Sequence, residues 1–163
     1  MSYAFSVSRR GLRTAAALGA ATLGLLVTTA CEKPTPLMTV TVGSDTVTTE
    51  AACYAENGEA LSREEGFGCL KQKTDRTITV GQGDRVHLGV EPEMADAGWV
   101  FFVDQRPMSA EELGSTYQTY EVDQWFQPQP GQGSVPDEVT LSVATLGEDE
   151  LEGVWNIKVE REK

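Results

Sequence analysis

Apolar and polar positions along this chain alternate with a period of two, and almost nowhere with the 3.6-residue period of a buried helix face. Met38-Thr39-Val40-Thr41-Val42 puts Met and two Val on one side and two Thr on the other, and Gly43-Ser44-Asp45 supplies a turn. Thr46 to Tyr54 continues as a second run of β-formers, so the two runs predict a hairpin. Thr77-Ile78-Thr79-Val80 is a short strand followed by the turn residues Gly81-Gln82-Gly83-Asp84. In the next strand Val86, Leu88 and Val90 face inward, while Arg85, His87 and Glu91 face water. Gly98-Trp99-Val100-Phe101-Phe102-Val103 is apolar throughout, as expected of a central strand covered on both faces. Tyr117 to Val122 predicts another strand. Val139, Leu141 and Val143, then Trp155, Ile157 and Val159, mark two closing strands, with Gly147-Glu148-Asp149-Glu150 as the turn between them.

Helical signals are brief. Ser62-Arg63-Glu64-Glu65 and Ser109-Ala110-Glu111-Glu112 both fit a capping box, and Gly66 and Gly114 limit each to about a turn. About eight short strands separated by turn residues predict an all-β fold, an antiparallel β-sandwich of immunoglobulin-like type, with a barrel as the alternative. The Cys–Trp–Cys spacing of antibody domains is absent, because Cys53 and Cys69 stand too close in sequence to clamp two sheets in that way.

The first 30 residues break the pattern. Ser8-Arg9-Arg10-Gly11-Leu12-Arg13 is a basic stretch, Thr14 to Val27 is rich in Ala and Leu, and Thr28-Thr29-Ala30 is a run of small residues before Cys31. This is the layout of an export signal. Cys31 resembles the cysteine of a bacterial lipobox, whose thiol takes a diacylglyceryl group, although Thr28 holds the place usually occupied by Leu. Competing readings are an uncleaved membrane helix over the 18 uncharged residues 14–31 and ordinary secretion. The four Thr and two Gly of that stretch, and the lack of a basic cluster after it, count against a helix. Ser8-Arg9-Arg10-Gly11-Leu12 also resembles a twin-arginine signal, so both that route and the general one stay open.

The chain therefore divides into a lipoprotein signal (1–30), a lipidated cysteine with a proline-stiffened tether (31–36) and one β-sandwich domain (37–163). Two acyl chains on Cys31 anchor stably where one holds only marginally. The expected location is the extracytoplasmic face of the cell membrane. With Cys31 lipidated, Cys53 and Cys69 remain as an even pair in an oxidising compartment, which predicts a disulfide; two free thiols are the alternative.

Charge narrows the function. The whole chain is at -12, and without Arg9, Arg10 and Arg13 of the signal the remainder is at -15, with 10 basic and 25 acidic residues. Such a surface repels phosphate backbones, so no nucleic-acid partner is expected. His87, the single histidine, lies on a solvent-facing strand position, and no G-x-S-x-G elbow occurs, so no catalytic residues are assigned. Glu148, Asp149, Glu150 and Glu152 lack the spacing of a calcium loop, and neither a metal nor a cofactor is expected. Trp99 and Trp155 read as core. Trp125 and Phe126, beside Gln127-Pro128-Gln129-Pro130 and outside the strand pattern, are the candidate contact site for an envelope protein partner; packing under the sandwich is the competing reading.

Several stretches together are familiar: Lys33-Pro34-Thr35-Pro36, Thr39-Val40-Thr41-Val42-Gly43, Glu50-Ala51-Ala52-Cys53-Tyr54, Asn57-Gly58-Glu59-Ala60-Leu61, Gly89-Val90-Glu91-Pro92-Glu93-Met94-Ala95-Asp96 before Gly98-Trp99, and Gly153-Val154-Trp155. With Cys69 and Thr77-Ile78-Thr79-Val80 they resemble an actinobacterial lipoprotein family known only as domain of unknown function 2771, over nearly all of the chain after the signal. The resemblance implies a cell-envelope location and no activity. A fainter likeness, of Pro92 to Trp99, is to the binding loop of immunoglobulin-like inhibitors of cysteine proteases, and that function would require Asp96, Gly98 and Trp99 on an exposed tip. The leading expectation is a membrane-tethered, non-catalytic binding or accessory module of the envelope. Cys31→Ala should release the protein from the membrane fraction or leave an unprocessed precursor, seen by fractionation and intact mass; normal processing with unchanged retention would overturn the assignment.

Overall fold

The computed structural model describes residues 34–55, 60–128, 134–147 and 151–163. Cys31, the signal residues and the Glu148-Asp149-Glu150 turn lie outside the described residues. Residues 34–163 make one compact unit.

Two sheets face each other, as the alternation predicts. The first has four strands in the order β2 (Asp45–Thr49), β1 (Met38–Val42), β5 (Arg85–Val90), β8 (Tyr117–Glu121), all antiparallel. The second runs β3 (Cys53–Tyr54), β10 (Leu151–Arg161), β9 (Glu138–Leu146), β6 (Trp99–Val103), β7 (Arg106–Pro107), again antiparallel, and β4 (Thr77–Val80) joins β10 in parallel. The all-β, two-sheet sandwich is thus the observed fold, with ten strands among the described residues against the eight or so expected.

Between the sheets lies the main core. Val40, Val86 and Leu88 of the first sheet meet Trp99, Phe101, Leu141, Val143, Trp155 and Ile157 of the second, all at 2% exposure or less. The outer face of the second sheet is buried as well. Ser142 and Ala144 on β9, with Val154 and Asn156 on β10, are covered by helix α1 (Arg63–Cys69) and the segment after it. The middle of β9 and of β10 is therefore buried on both sides. Val100 and Phe102 of β6 pack against the same cover, so the expectation of a strand apolar on both faces holds.

That cover is held by one covalent bond and one polar network. Cys53 and Cys69 form the predicted disulfide, with Cα atoms 6.0 Å apart. The Asn156 amide, 2% exposed, donates to the carbonyls of Cys69 (2.8 Å) and Gln72 (3.3 Å), and its Oδ1 accepts from Ser142 Oγ (2.7 Å). Every one of these groups would be costly to bury unpaired.

Local details depart from the sequence reading, each for a physical reason. The Ser62 capping box forms, with Glu65 Oε2 accepting from the Ser62 backbone N–H (3.0 Å) and Oγ (2.6 Å). Those bonds favour the carboxylate and lower the Glu65 pKa. The helix nevertheless runs through Gly66 to Cys69, because Gly66 is where α1 meets β10: a Cβ there would stand 2.6 Å from Leu151 Cδ1. The second capping box makes no helix. Ser109 Oγ instead accepts the Phe101 N–H (3.3 Å), and Leu113 bridges to Trp99 through paired backbone bonds of 3.0 and 2.8 Å. A short helix not expected from the pattern, α2 (Pro92–Ala97), starts with Pro in its first turn and ends at Gly98, whose φ of 84° is left-handed.

The run Thr46 to Tyr54 is not one strand. It divides at Glu50–Ala52, where the chain leaves the first sheet and Ala52 N–H donates to Val154 O (2.7 Å) of the second. The residues just before β1 also pack against the rest of the domain. Pro36 is buried and its carbonyl accepts Trp155 Nε1–H at 2.6 Å, while Thr35 Oγ1 accepts from Ala51 N–H at 3.1 Å, so both belong to the domain. Among the described residues no helix is long and apolar enough to cross a membrane.

Because the disulfide pins the cover over β9 and β10, Cys53→Ser with Cys69→Ser should cost about 3 kcal/mol of unfolding free energy. Asn156→Leu alone should cost roughly 1–3 kcal/mol by stranding two carbonyls and a serine. Denaturant melts of the two variants measure both losses.

Candidate functional site

With the second sheet covered, the outer face of the first is the broad sheet surface left to water. Its side chains follow from register. Thr48, Thr39, Gly89 and Tyr117 form one row across β2, β1, β5 and β8, and Thr46, Thr41, His87 and Thr119 form the next. Alternation sends the intervening Val40, Val42, Val86 and Leu88 into the core.

Hydroxyls dominate this face and are paired across the strands. Thr39 and Thr48 share a hydrogen bond at 3.1 Å between their Oγ1 atoms, and Thr41 and Thr46 one at 2.9 Å. Such cross-strand threonine pairs stabilise an antiparallel ladder. On the other half, Tyr117 lies stacked on His87, with ring centroids 5.6 Å apart and planes 17° apart. His87 Nδ1 meets both Thr119 Oγ1 (3.0 Å) and the Tyr117 hydroxyl in short contact. Tyr117 is 56% exposed, one of the few large apolar side chains left open among the described residues. Its row neighbour Gly89 has no side chain, so the Tyr117 ring leans on His87 and has a shallow step beside it in its own row.

The electrostatics of the face are as distinctive as its shape. Neither row contains a carboxylate, although the chain has 25. Glu121, two residues beyond Thr119 and on the same face of β8, stands 3.8 Å from Arg85 in an exposed pair. The two rows therefore present hydroxyls, one imidazole and one accessible ring, without net negative charge. An arrangement of this kind can hydrogen-bond and pack against a surface. A hydrolytic triad would need a carboxylate to orient the imidazole, and the two partners found for Nδ1 are hydroxyls.

Trp125 and Phe126, the expected contact site, are instead core residues. Trp125 is 0% and Phe126 7% exposed. A turn of 3-10 helix, Val122–Gln124, folds the chain inward directly after β8, and Trp125 N–H donates to Val122 O at 2.9 Å. The indole then packs with Phe101 and Tyr120, whose rings are 4.3 Å apart and each 6.4 Å from it. Large rings beside prolines are here a plug closing the end of the sandwich. The protease-inhibitor loop also fails: Trp99 is 0% exposed, its Nε1–H donates to Ser115 O at 2.8 Å, and Gly98 merely ends α2.

His87 falls on the wet face, as its place in the alternation requires. Tyr117 was missed as a site residue. The alternation of Tyr117 and Thr119 with Gln118 and Tyr120 carried part of the signal, but only strand pairing sets Tyr117 against His87. Among the described residues no three His, Cys, Asp or Glu side chains converge as metal ligands.

No family model and no curated protein matches the chain. Among solved structures, it is similar to a chain described as fibronectin(III)-like modules of Clostridium thermocellum CbhA, at 8% identity and a TM-score of 0.37, over 56% of this chain and 95% of that one.

The geometry separates core from surface aromatics. Trp125→Ala with Phe126→Ala should lower unfolding free energy by roughly 3–5 kcal/mol or more, whereas Tyr117→Ala should change it by less than about 1 kcal/mol. Thermal melts of the two variants side by side would show it, and equal losses would contradict this division.

Proposed function

We propose that this protein is a non-catalytic binding module of the bacterial cell envelope, anchored through a lipid on Cys31, and that it meets an envelope protein through the threonine face. The resemblance to the actinobacterial lipoprotein family supports the location, as do the export signal and the disulfide, which suits an oxidising compartment. The observation that carries the binding role is the open Tyr117 ring stacked on His87 in a field of hydroxyls without a carboxylate. A domain at -15 repels other acidic macromolecules over most of its surface, and two rows without a carboxylate, flanked by the paired charges of Arg85 and Glu121, are where close approach costs least. Aromatic residues carry much of the energy of protein contacts, which makes Tyr117 the anchor of the proposed interface.

Cross-linking in intact envelopes, followed by co-purification, tests this reading. A partner captured by the native protein should be lost or weakened about 30-fold with Tyr117→Ala, the equivalent of about 2 kcal/mol at one anchor residue. Because the two rows carry no carboxylate and Arg85 beside them is balanced by Glu121, the interaction should change little between low and moderate salt. Capture that Tyr117→Ala and His87→Ala leave unaltered would remove this face from the interface. Capture of glycan rather than protein would overturn the choice of partner.

A further inference from the structure

The two sheets do not end together. Tyr120 of β8 packs on Phe101 of β6, with ring centroids 4.3 Å apart, so β8 lies over β6. The second sheet goes on past β6 to β7, whereas the first stops at β8. After β7 the chain stays beside β6, through the Met108 N–H to Phe101 O bond (2.9 Å) and the bridge of Leu113 to Trp99. The first sheet is therefore one strand short on this side. The vacant place has a floor, because Met108 and Leu113 are half-buried and pack against the main core. Arg106, register partner of the inward Val103, closes that floor at the end away from Pro36.

The phase of the backbone ladder leaves β8 with bonding groups to spare. Val90 N–H donates to Thr116 O at 3.0 Å, and Val122 N–H to Asp84 O at 3.3 Å. These pairs share one register and lie an even number of residues apart, so Gln118 and Tyr120 turn their N–H and C=O groups toward β5. The N–H and C=O groups of Tyr117, Thr119 and Glu121 point the other way, out of the edge of the sheet. Tyr117 O accepts from Ser115 Oγ and Glu121 O from Gln124 Nε2, both at 3.3 Å. Thr119 O and the N–H groups of all three have no partner among the described residues.

Exposed edges are normally blunted by shortness, proline, lysine or a bulge. In the second sheet, β3 and β7 have two residues each, and β7 contains Pro107. Strand β8 carries none of these devices. It is five residues long, holds no Pro, Lys or Gly, and keeps an unbroken register with β5.

We propose that an extended segment of a partner protein adds to β8 as a fifth strand of the first sheet. This rests on the binding role given to the threonine face and deepens it, since a fifth strand carries the Tyr117 and Thr119 rows onward. The chemistry of the segment follows from the alternation of its side chains. Its main chain bonds to Thr119 and the flanking N–H groups. Side chains on one side are apolar and rest on Tyr120, Met108 and Leu113, and those on the other are uncharged and extend the rows of hydroxyls. Proline is excluded from its bonded positions. A second copy of this chain fits less well. Pairing β8 with itself about a two-fold axis makes the strands antiparallel, so the Pro36 ends of the two domains point in opposite directions. Lipids on Cys31 of both chains, as proposed above, would hold those ends toward one membrane.

The test uses the mature, lipidated protein in nanodiscs, isotopically labelled for amide NMR, with a short end-blocked peptide of alternating valine and threonine as the probe. Saturable binding should slow hydrogen exchange at the amides of Tyr117, Thr119 and Glu121 and leave Gln118 and Tyr120, already bonded to β5, unchanged. Thr119→Pro removes an N–H that β5 does not use, at an edge position where proline is tolerated. It should weaken the peptide at least about ten-fold, whereas Thr119→Val, which keeps the N–H, should weaken it less than about two-fold. N-methylation of one alternate set of peptide residues should abolish binding, and of the other set should spare it. No protection at Thr119, equal binding to Thr119→Pro and Thr119→Val, or equal effects of the two N-methylated peptides would each overturn strand addition. Protection of Thr119 without peptide, rising with the number of copies per nanodisc, would give the edge to a second copy and overturn the choice of occupant. In intact envelopes, a cross-linked partner lost from Tyr117→Ala but kept by Thr119→Pro would leave the threonine face standing and remove the edge from it.

Discussion

Everything in this fold depends on β9 and β10 being buried on both faces. A strand pair that carries Leu141, Val143, Trp155 and Ile157 on one side and Ala144 and Val154 on the other needs two covers. The four-stranded sheet provides the first. No further sheet covers the other side, so a helix of about two turns and a stretch of chain do the work, held down by Cys53–Cys69 and by the Asn156 amide. The disulfide is therefore not a clamp between sheets, as in antibody domains. It fastens a loop onto the back of one sheet, which explains how two cysteines only 16 residues apart can serve a sandwich.

This asymmetry also decides which sheet face is left open. One sheet is sealed at the back, and the other keeps its back to water. On that open face the alternation leaves Thr, His and Tyr, and the strand order sets them in rows. Glu121, on the same face of β8, is paired with Arg85 in the adjoining row.

Three tryptophans show how the ends of the sandwich are closed. Trp99 and Trp155 each satisfy their N–H with a backbone carbonyl from a distant segment, Ser115 and Pro36. Trp125 Nε1 is buried without a partner, so its packing with Phe101 and Tyr120 carries that end. The bond to Pro36 draws the incoming chain into the core, and it sets the indole over Gly153. Pro36, which reads as the end of a proline-stiffened spacer, is thus part of the wall of a cavity.

Period-two alternation, with glycine and acidic turns, was enough to define an all-β sandwich, its inward residues and the wet position of His87, because strand sidedness is a local property of the backbone. The pairing of Cys53 with Cys69 was legible too, as arithmetic once Cys31 is set aside. Several features were not local and could not be read. Whether Trp125 and Phe126 lie inside depends on a single turn of 3-10 helix after β8, and prolines beside aromatic rings are compatible with either answer. Serine and glutamate at capping-box spacing form a helix at Ser62, where β10 needs a cover, and none at Ser109, where Phe101 N–H needs an acceptor. Tyr117 and His87 are 30 residues apart, and only the pairing of β5 with β8 stacks them. Sidedness along each strand came from the sequence; which strands became neighbours, and hence every cluster of side chains that could bind anything, was decided by tertiary packing.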